Sequence, residues 1–165
     1  MPIVAADIDF RLSGGGANAD PNASLGGIKS STEVGTNLFD TVASGEASAG
    51  DTEYRCLYVH NSHGTLTMLN AVIWIQTNTP STDSTLDIGA GTSAINGMEQ
   101  TVADESTAPS GVSFSAAANE GAAVALGDIP PGQHKAVWVR RTISAAAAAY
   151  TGDGGTLRVK CDTLA

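Results

Sequence analysis

The feature that most constrains the fold is a recurring pattern of short, valine- and isoleucine-rich segments separated by turn residues. One segment, residues 129–141, opens with a Pro-Pro-Gly turn signal and continues as an alternating run around Trp138. A second segment, residues 71–77, places β-branched residues on both sides of Trp74. The apolar spacing of long helices does not recur in the sequence. We therefore predict an all-β protein.

The number and spacing of these segments predict the architecture. A chain of 165 residues has the size of one domain, and its 19 glycines indicate many turns. About eight or nine short antiparallel strands predict a single-domain β-sandwich, immunoglobulin-like or, as an alternative, jelly-roll in topology. The strand order cannot be read from the pattern. The predicted strands are 8–12, 28–34, 52–61, 71–77, 85–89, 112–115, 122–126, 136–140 and 157–161.

Aromatic residues in the middle of strands are the expected core anchors. Trp74 and Trp138 are the only tryptophans, and a large ring in mid-strand can fill the space between two sheets. We expect the sandwich to be built around this pair. In the segment 52–61, alternation places Tyr54 and Tyr58 on one face, and we expect both to be core anchors as well.

The N-terminal region is divided from the rest of the chain by its composition. Residues 1–27 form an N-terminal strand plus a glycine-rich arm or loop, and residues 28–165 form the β-sandwich domain. Three apolar residues alternate with charged residues in this strand: Ile8, Phe10 and Leu12. We name them as candidate subunit contacts, because a lone strand followed by a loose loop can pair with the free edge of a sheet in a neighbouring subunit. An edge strand within the same chain is the alternative.

Arg140 and Arg141 form the one basic cluster of an acidic chain and are the other candidate subunit contacts. Stacking on an indole ring and ion pairs to acids of a neighbouring subunit would each use such a pair. Two solvated arginines at a strand end are the alternative.

Charge excludes some partners. The 17 acidic and 8 basic residues give a net charge of −9, which repels phosphate backbones and anionic lipid headgroups. We therefore predict no nucleic-acid and no membrane partner. We find no signal peptide and no run near the roughly 20 apolar residues of a membrane span, so we expect synthesis in a cytoplasm. There Cys56 and Cys161 are expected to be free buried thiols, unless facing strands allow a bridge.

Catalytic and metal motifs are weak. His60, His63 and His134 lack zinc-ligand spacing and are interpreted as turn or loop residues. Residues 89–94 match a dinucleotide fingerprint, but residues 95–97 break the helix that such a site needs. No nucleophile and base emerge as a pair, so we predict no enzyme, no catalytic residues and no cofactor.

Two acidic pairs raise the question of a metal. Asp83 with Asp87, or Asp51 with Glu53, could join carbonyl oxygens around calcium. Solvated acids explain both pairs equally well, and we predict no metal ligands.

Four phrases of the sequence carry a resemblance to known proteins: residues 8–16 (IDFRLSGGG), 24–28 (SLGGI), 50–59 (GDTEYRCLYV) and 131–139 (PGQHKAVWV). Together they resemble a group of tailed-bacteriophage virion proteins. The last phrase also looks like the late strands of immunoglobulin-like modules found in phage particles and on bacterial surfaces.

The resemblance implies a non-enzymatic structural component of a virion, made in the host cytoplasm. A capsid decoration or cement protein is the first expectation; it would bind the outer shell, contact the major capsid protein and form a homo-oligomer. A trimer is implied by the resemblance alone. The alternatives are a tail, collar or baseplate component, or an immunoglobulin-like module that binds the host surface through end loops such as 78–83 and 145–153.

Overall fold

The computed structural model describes residues 2–163 and is all-β in character. Within these residues seven strands form two antiparallel sheets. The first sheet has the order β1-β2-β6-β4 and the second the order β5-β3-β7. The strands are β1 (Ile8–Leu12), β2 (Asp51–Asn61), β3 (Met68–Thr77), β4 (Ser84–Ala90), β5 (Val124–Ile129), β6 (His134–Ile143) and β7 (Thr156–Asp162).

The helices are short. One α-helix, α1 (Ser44–Ala49), precedes β2, and single 3-10 turns occupy Ala5–Asp7, Pro21–Ala23 and Glu120–Ala122. No helix within residues 2–163 is long and apolar enough to cross a membrane.

Two predicted strands, residues 28–34 and 112–115, are not strands in the structure. Each lies along a sheet edge and makes only one isolated bridge. The first donates and accepts three backbone hydrogen bonds with β1, and the second exchanges two with β4, between Ile88 and Ser115. These segments are paired over too few residues to count as strands, but they cover both edges of the first sheet. The other seven predicted segments each overlap one observed strand.

The first sheet is buried on both faces. Its inner face packs against the second sheet through side chains such as Leu57 and Val137, which belong to one core cluster with residues of β3 and β5. Its outer face forms a second cluster, covered by loop residues instead of a sheet. That cluster contains Cys56, Tyr58, Val102, Ala136 and Trp138, with Leu25, Tyr54, Val112 and Phe114 packed against it.

This arrangement corrects the expected tryptophan pair. Trp74 belongs to the inner core and is 7% exposed, whereas Trp138 is fully buried in the outer cluster. Alternation places Trp138 on the same face as Ala136, which points away from the second sheet. The two rings therefore lie in different cores. Tyr58 is fully buried and Tyr54 half-buried, both in the outer cluster.

Both cysteines are free thiols. Cys56 is fully buried in the outer cluster, and Cys161 on β7 is half-buried against the inner one. Because the two residues belong to different cores, they do not face each other. Burial raises the pKa of both thiols, most strongly that of Cys56, so neither has the character of an activated nucleophile.

Candidate functional site

The apolar residues proposed as subunit contacts are buried or half-buried within their own chain. Ile8 and Phe10 are half-buried and pack against that core, and Leu12 is only 1% exposed. Strand β1 pairs with β2 along its whole length, from Ile8 opposite Asn61 to Leu12 opposite Leu57. Of the two alternatives for this segment, the structure has the edge strand within the same chain.

The two neighbouring arginines point to opposite faces of β6. Arg140 donates to the Asp87 carboxylate at 2.7 Å and lies 5.0 Å from the Phe114 ring centroid. Arg141 lies over a different ring, that of Phe39, at 4.7 Å. The ring beneath each arginine is therefore a phenylalanine and not an indole.

Arg141 is a buried residue whose ion-pair partners belong to its own chain. Its Nε donates to the carboxylate of Glu53, which lies directly opposite on β2. Its Nη1 donates to the backbone carbonyl of Asp40 at 2.8 Å, and its Nη2 lies 3.4 Å from the Asp40 carboxylate. The hypothesis of a subunit contact placed this residue on the surface, whereas it is only 9% exposed.

Arg141 belongs to a group of charged side chains at one end of β2, which we call the carboxylate cluster. Carboxylate oxygens of its members approach one another within 4.8 Å in two groups of three that share Glu53. Five carboxylates therefore meet two guanidinium groups. The members are Asp40, Glu46, Asp51, Glu53 and Glu105, with Arg55 and Arg141.

Strand β2 supplies the centre of the cluster through alternation. Asp51, Glu53 and Arg55 are two residues apart and so share one face of the strand. β1 pairs with β2 only as far as Leu57, so a different segment of chain reaches this end of the strand. There Tyr54 donates its backbone N–H to the Glu105 carbonyl at 2.7 Å.

That backbone contact places the Glu105 side chain beside Arg55. The guanidinium of Arg55 donates to the Glu105 carboxylate and, at 3.2 Å, to the side-chain oxygen of Asn22. Arg55 has no exposed side-chain surface. The Phe39 ring centroid lies 5.6 Å from its guanidinium carbon and 4.7 Å from that of Arg141, so both arginines contact one aromatic ring.

Helix α1 supplies Glu46. The Glu46 carboxylate accepts the backbone N–H of Ala43 at 2.6 Å, which caps the first turn. The last turn is held by the alanine-rich segment 145–149, whose Ala147 N–H donates to the Ala47 carbonyl at 2.9 Å. That segment has no regular secondary structure. Gly50 then turns the chain into β2 with a φ of 79°.

The electrostatics of the cluster centre on Glu53. Its side chain has no exposed surface, and burial raises its pKa although the Arg141 guanidinium opposes the change. Its Oε2 is bonded to Arg141, while Oε1 has no hydrogen-bond partner within residues 2–163. A buried carboxylate oxygen without a partner is costly, and Glu53 holds the one such carboxylate oxygen among residues 2–163.

The histidines have structural roles. His60 lies 3.3 Å from the Asp9 carboxylate, and the His63 Nδ1 accepts the backbone N–H of Leu66 at 2.9 Å in a turn. His134 packs edge-on against the Tyr58 ring, with centroids 4.7 Å apart. Burial, with the nearby Lys29 charge, lowers the pKa of His134 to about 4.

Part of the carboxylate cluster was predictable from the sequence. Asp51 with Glu53 was one of the two acidic pairs weighed for calcium, and both belong to a carboxylate group. In the other pair, Asp87 is bound to Arg140 and Asp83 accepts the backbone N–H of Ala148 at 3.0 Å. The other three carboxylates of the cluster were not predicted, because they come from separate segments that no local pattern links to β2. They are Asp40, Glu46 and Glu105.

Comparison with known proteins identifies no relative. No family model, no curated protein and no solved structure matches this chain.

Proposed function

We propose that this chain is a non-enzymatic structural component of a bacteriophage particle. The first candidate role is that of a capsid decoration or cement protein, which binds the outer shell and bridges capsid subunits. The four resembling phrases support the phage assignment, and one structural contrast between the two sheets supports a role in assembly.

The contrast lies in the strand edges. Both outer strands of the first sheet bond to flanking segments of the same chain, 28–34 and 112–115. In the second sheet β5 and β7 pair only with β3, and within residues 2–163 their outer edges have no backbone partner. An open edge is a site where a strand of another protein can add to the sheet. The proposed role in assembly rests on these open edges of β5 and β7.

Side chains on β7 favour a specific partner over indiscriminate pairing. Thr156, Arg158, Lys160 and Asp162 are exposed, while the residues between them pack inward. Charges on an edge strand discourage aggregation. A partner strand would have to present complementary charges. Lys160 is paired with Glu120 of its own chain, which leaves Arg158 as the cation that favours an acidic partner.

The finer fold type is part of the proposal: a single-domain β-sandwich, immunoglobulin-like or jelly-roll. It is supported by the inner core cluster, to which both sheets contribute. The first sheet places β1 beside β2, as the immunoglobulin order A-B-E-D does, but β6 stands where that order has the fifth strand.

The proposed partners follow from this role. They are the major capsid protein or another virion protein, together with further copies of this chain in a homo-oligomer. The proposed location is the virion, after synthesis in the host cytoplasm.

The first experiment is to measure the copy number of this chain in purified particles, against the major shell protein, by quantitative mass spectrometry. Copies in the hundreds, in a simple ratio to the shell subunit, are expected for a decoration protein. A handful to a few dozen would move the assignment to tail, collar or baseplate. Absence from particles would overturn the virion role and leave a free module that binds the host surface.

Hydrogen exchange tests the edge itself. When the chain binds its shell, backbone amides of β5 or β7 that face outward are expected to gain protection, because they acquire strand partners. Amides of β6 serve as the internal control, since this central strand lies between β2 and β4. Protection confined to loops of the first sheet would overturn assembly through the edges.

A further inference from the structure

Three carboxylates of the cluster converge, and within residues 2–163 the only cationic side chain bonded to any of them is Arg141, which binds Glu53. Oxygens of Glu46, Asp51 and Glu53 lie within 4.8 Å of one another. Glu46 and Asp51 are half-buried and form no ion pair within residues 2–163. Like charges this close repel one another unless a proton or a cation lies between them.

The second carboxylate group of the cluster provides a contrast. Oxygens of Asp40 and Glu105 also lie within 4.8 Å of Glu53, but each of these two residues is bound to an arginine, Asp40 to Arg141 and Glu105 to Arg55. That group is neutralised by the chain itself. The cluster as a whole keeps three more negative than positive charges when every member is ionised, and the excess falls on the side of Glu46 and Asp51.

An independent observation points to a ligand. Glu53 has no exposed side-chain surface, and its Oε1 is a buried atom without a hydrogen-bond partner in the described part of the chain. Arg141 occupies only the other oxygen, Oε2. Desolvating a carboxylate oxygen without compensation is strongly unfavourable, and a bound cation would supply that compensation.

We propose that Glu46, Asp51 and Glu53 bind one calcium ion and that this ion joins helix α1 to strand β2. The donors are all carboxylate oxygens, and no histidine or cysteine belongs to the group, which favours a hard cation over zinc or copper. Calcium accepts six to eight oxygens in irregular geometry, whereas magnesium requires a near-ideal octahedron. Three carboxylates from a short helix and a strand suit the larger ion. The site is independent of the proposed role in a particle.

The test is isothermal titration calorimetry of the intact chain with CaCl2, after treatment with EDTA and dialysis. Two variants remove charge but keep local structure. In Glu46→Gln the side-chain oxygen can still accept the Ala43 N–H, and in Asp51→Asn it can still accept the Thr52 N–H. Glu33→Gln is the matched control, because Glu33 is 68% exposed and lies outside the cluster.

We expect one calcium per chain, a loss of about tenfold or more in affinity in each cluster variant, and wild-type affinity in Glu33→Gln. Thermal melts should show a higher Tm with CaCl2 than with EDTA, and a smaller rise with MgCl2 at the same concentration. Absence of binding heat in the wild type, or unchanged affinity in both cluster variants, would overturn the site. An equal rise in Tm with magnesium would overturn the assignment to calcium.

Discussion

Glu53 on β2 and Arg141 on β6 stand directly opposite each other, and the guanidinium of the arginine donates to the carboxylate. The pair lies on the same face of the sheet as Leu57 and Val137, so it continues the apolar inner core as a buried ion pair. It joins two neighbouring strands through residues that are 88 positions apart in the sequence.

Removing the cation of this pair should be strongly destabilising. In Arg141→Met the Glu53 carboxylate would be left buried without its partner, and we expect a loss of about 3 to 5 kcal/mol in the free energy of unfolding. Urea denaturation at neutral pH in the presence of EDTA measures the loss without any contribution from bound metal.

The neighbouring residue supplies the control. Arg140 pairs with Asp87 but its side chain is 33% exposed, so Arg140→Met should cost only about 1 kcal/mol or less. Similar losses for the two variants would contradict the special role of the buried pair.

A second carboxylate makes stability depend on pH. Glu99 is 2% exposed, and burial alone would raise its pKa. Hydrogen bonds from Ser93 and Thr92 outweigh burial, and they lower the pKa to about 2. Because the folded pKa lies below the unfolded value, this group stabilises the fold fully above about pH 4.5 and loses that contribution as the pH falls towards 2.

The variant Glu99→Gln should therefore lose stability on the order of 3 kcal/mol at neutral pH, where the ionised carboxylate contributes most. As the pH falls to about 2, its stability should approach that of the wild type. Urea unfolding across this pH range, with Glu33→Gln as a surface control, measures the effect. A constant difference between Glu99→Gln and the wild type at every pH would refute the assignment.

Alternation in the sequence predicted the faces of the central strands correctly. The predicted alternating run around Trp138 implies that Val137 and Val139 share one side of β6 and that Trp138 lies on the other, and the two core clusters divide them in that way. Alternation does not reveal what covers each face. The cover of the outer face comes from loop residues such as Leu25 and Val102, which carry no periodic signal.

The candidate site was predictable only where its residues are neighbours in one strand. Asp51 and Glu53 share a face of β2, so their pairing follows from the period of two. Arg141 was interpreted, together with Arg140, as a subunit contact or as a solvated arginine at a strand end. Its burial depends on the register that sets it opposite Glu53, and register is a property of the folded sheet.

The pairing of β1 leads to a prediction about the N-terminal segment. Deleting residues 2–12 would expose the edge of β2 from Leu57 to Asn61 and remove the buried Leu12 side chain. We expect a lower Tm and faster amide exchange in β2, because five strand positions lose their partner. A truncated chain that melts like the full-length protein would show that this strand is dispensable for the fold and is free to act as an arm.

The last prediction concerns the backbone contact that closes the outer core. Gly26 is buried with a φ of +94°, and a Cβ atom at this position would collide with the backbone carbonyl oxygen of Gln100. On either side of it, Val102 donates its N–H to the Leu25 carbonyl at 3.0 Å and Gly27 donates to the Glu99 carbonyl at 3.1 Å. Two loops are thus held together where no side chain fits.

Substitution at two glycines separates that collision from backbone strain. Gly26→Ala should lose about 3 kcal/mol or more, because one of the two loops must move away from the other. Gly132→Ala should lose only about 1 kcal/mol, since its φ of +73° is strained for alanine but nothing lies within 4 Å of the added methyl group. Urea denaturation of both variants gives the comparison. Equal losses would mean that the left-handed backbone alone requires glycine, and that the approach of residues 25–27 to residues 99–102 tolerates a methyl group.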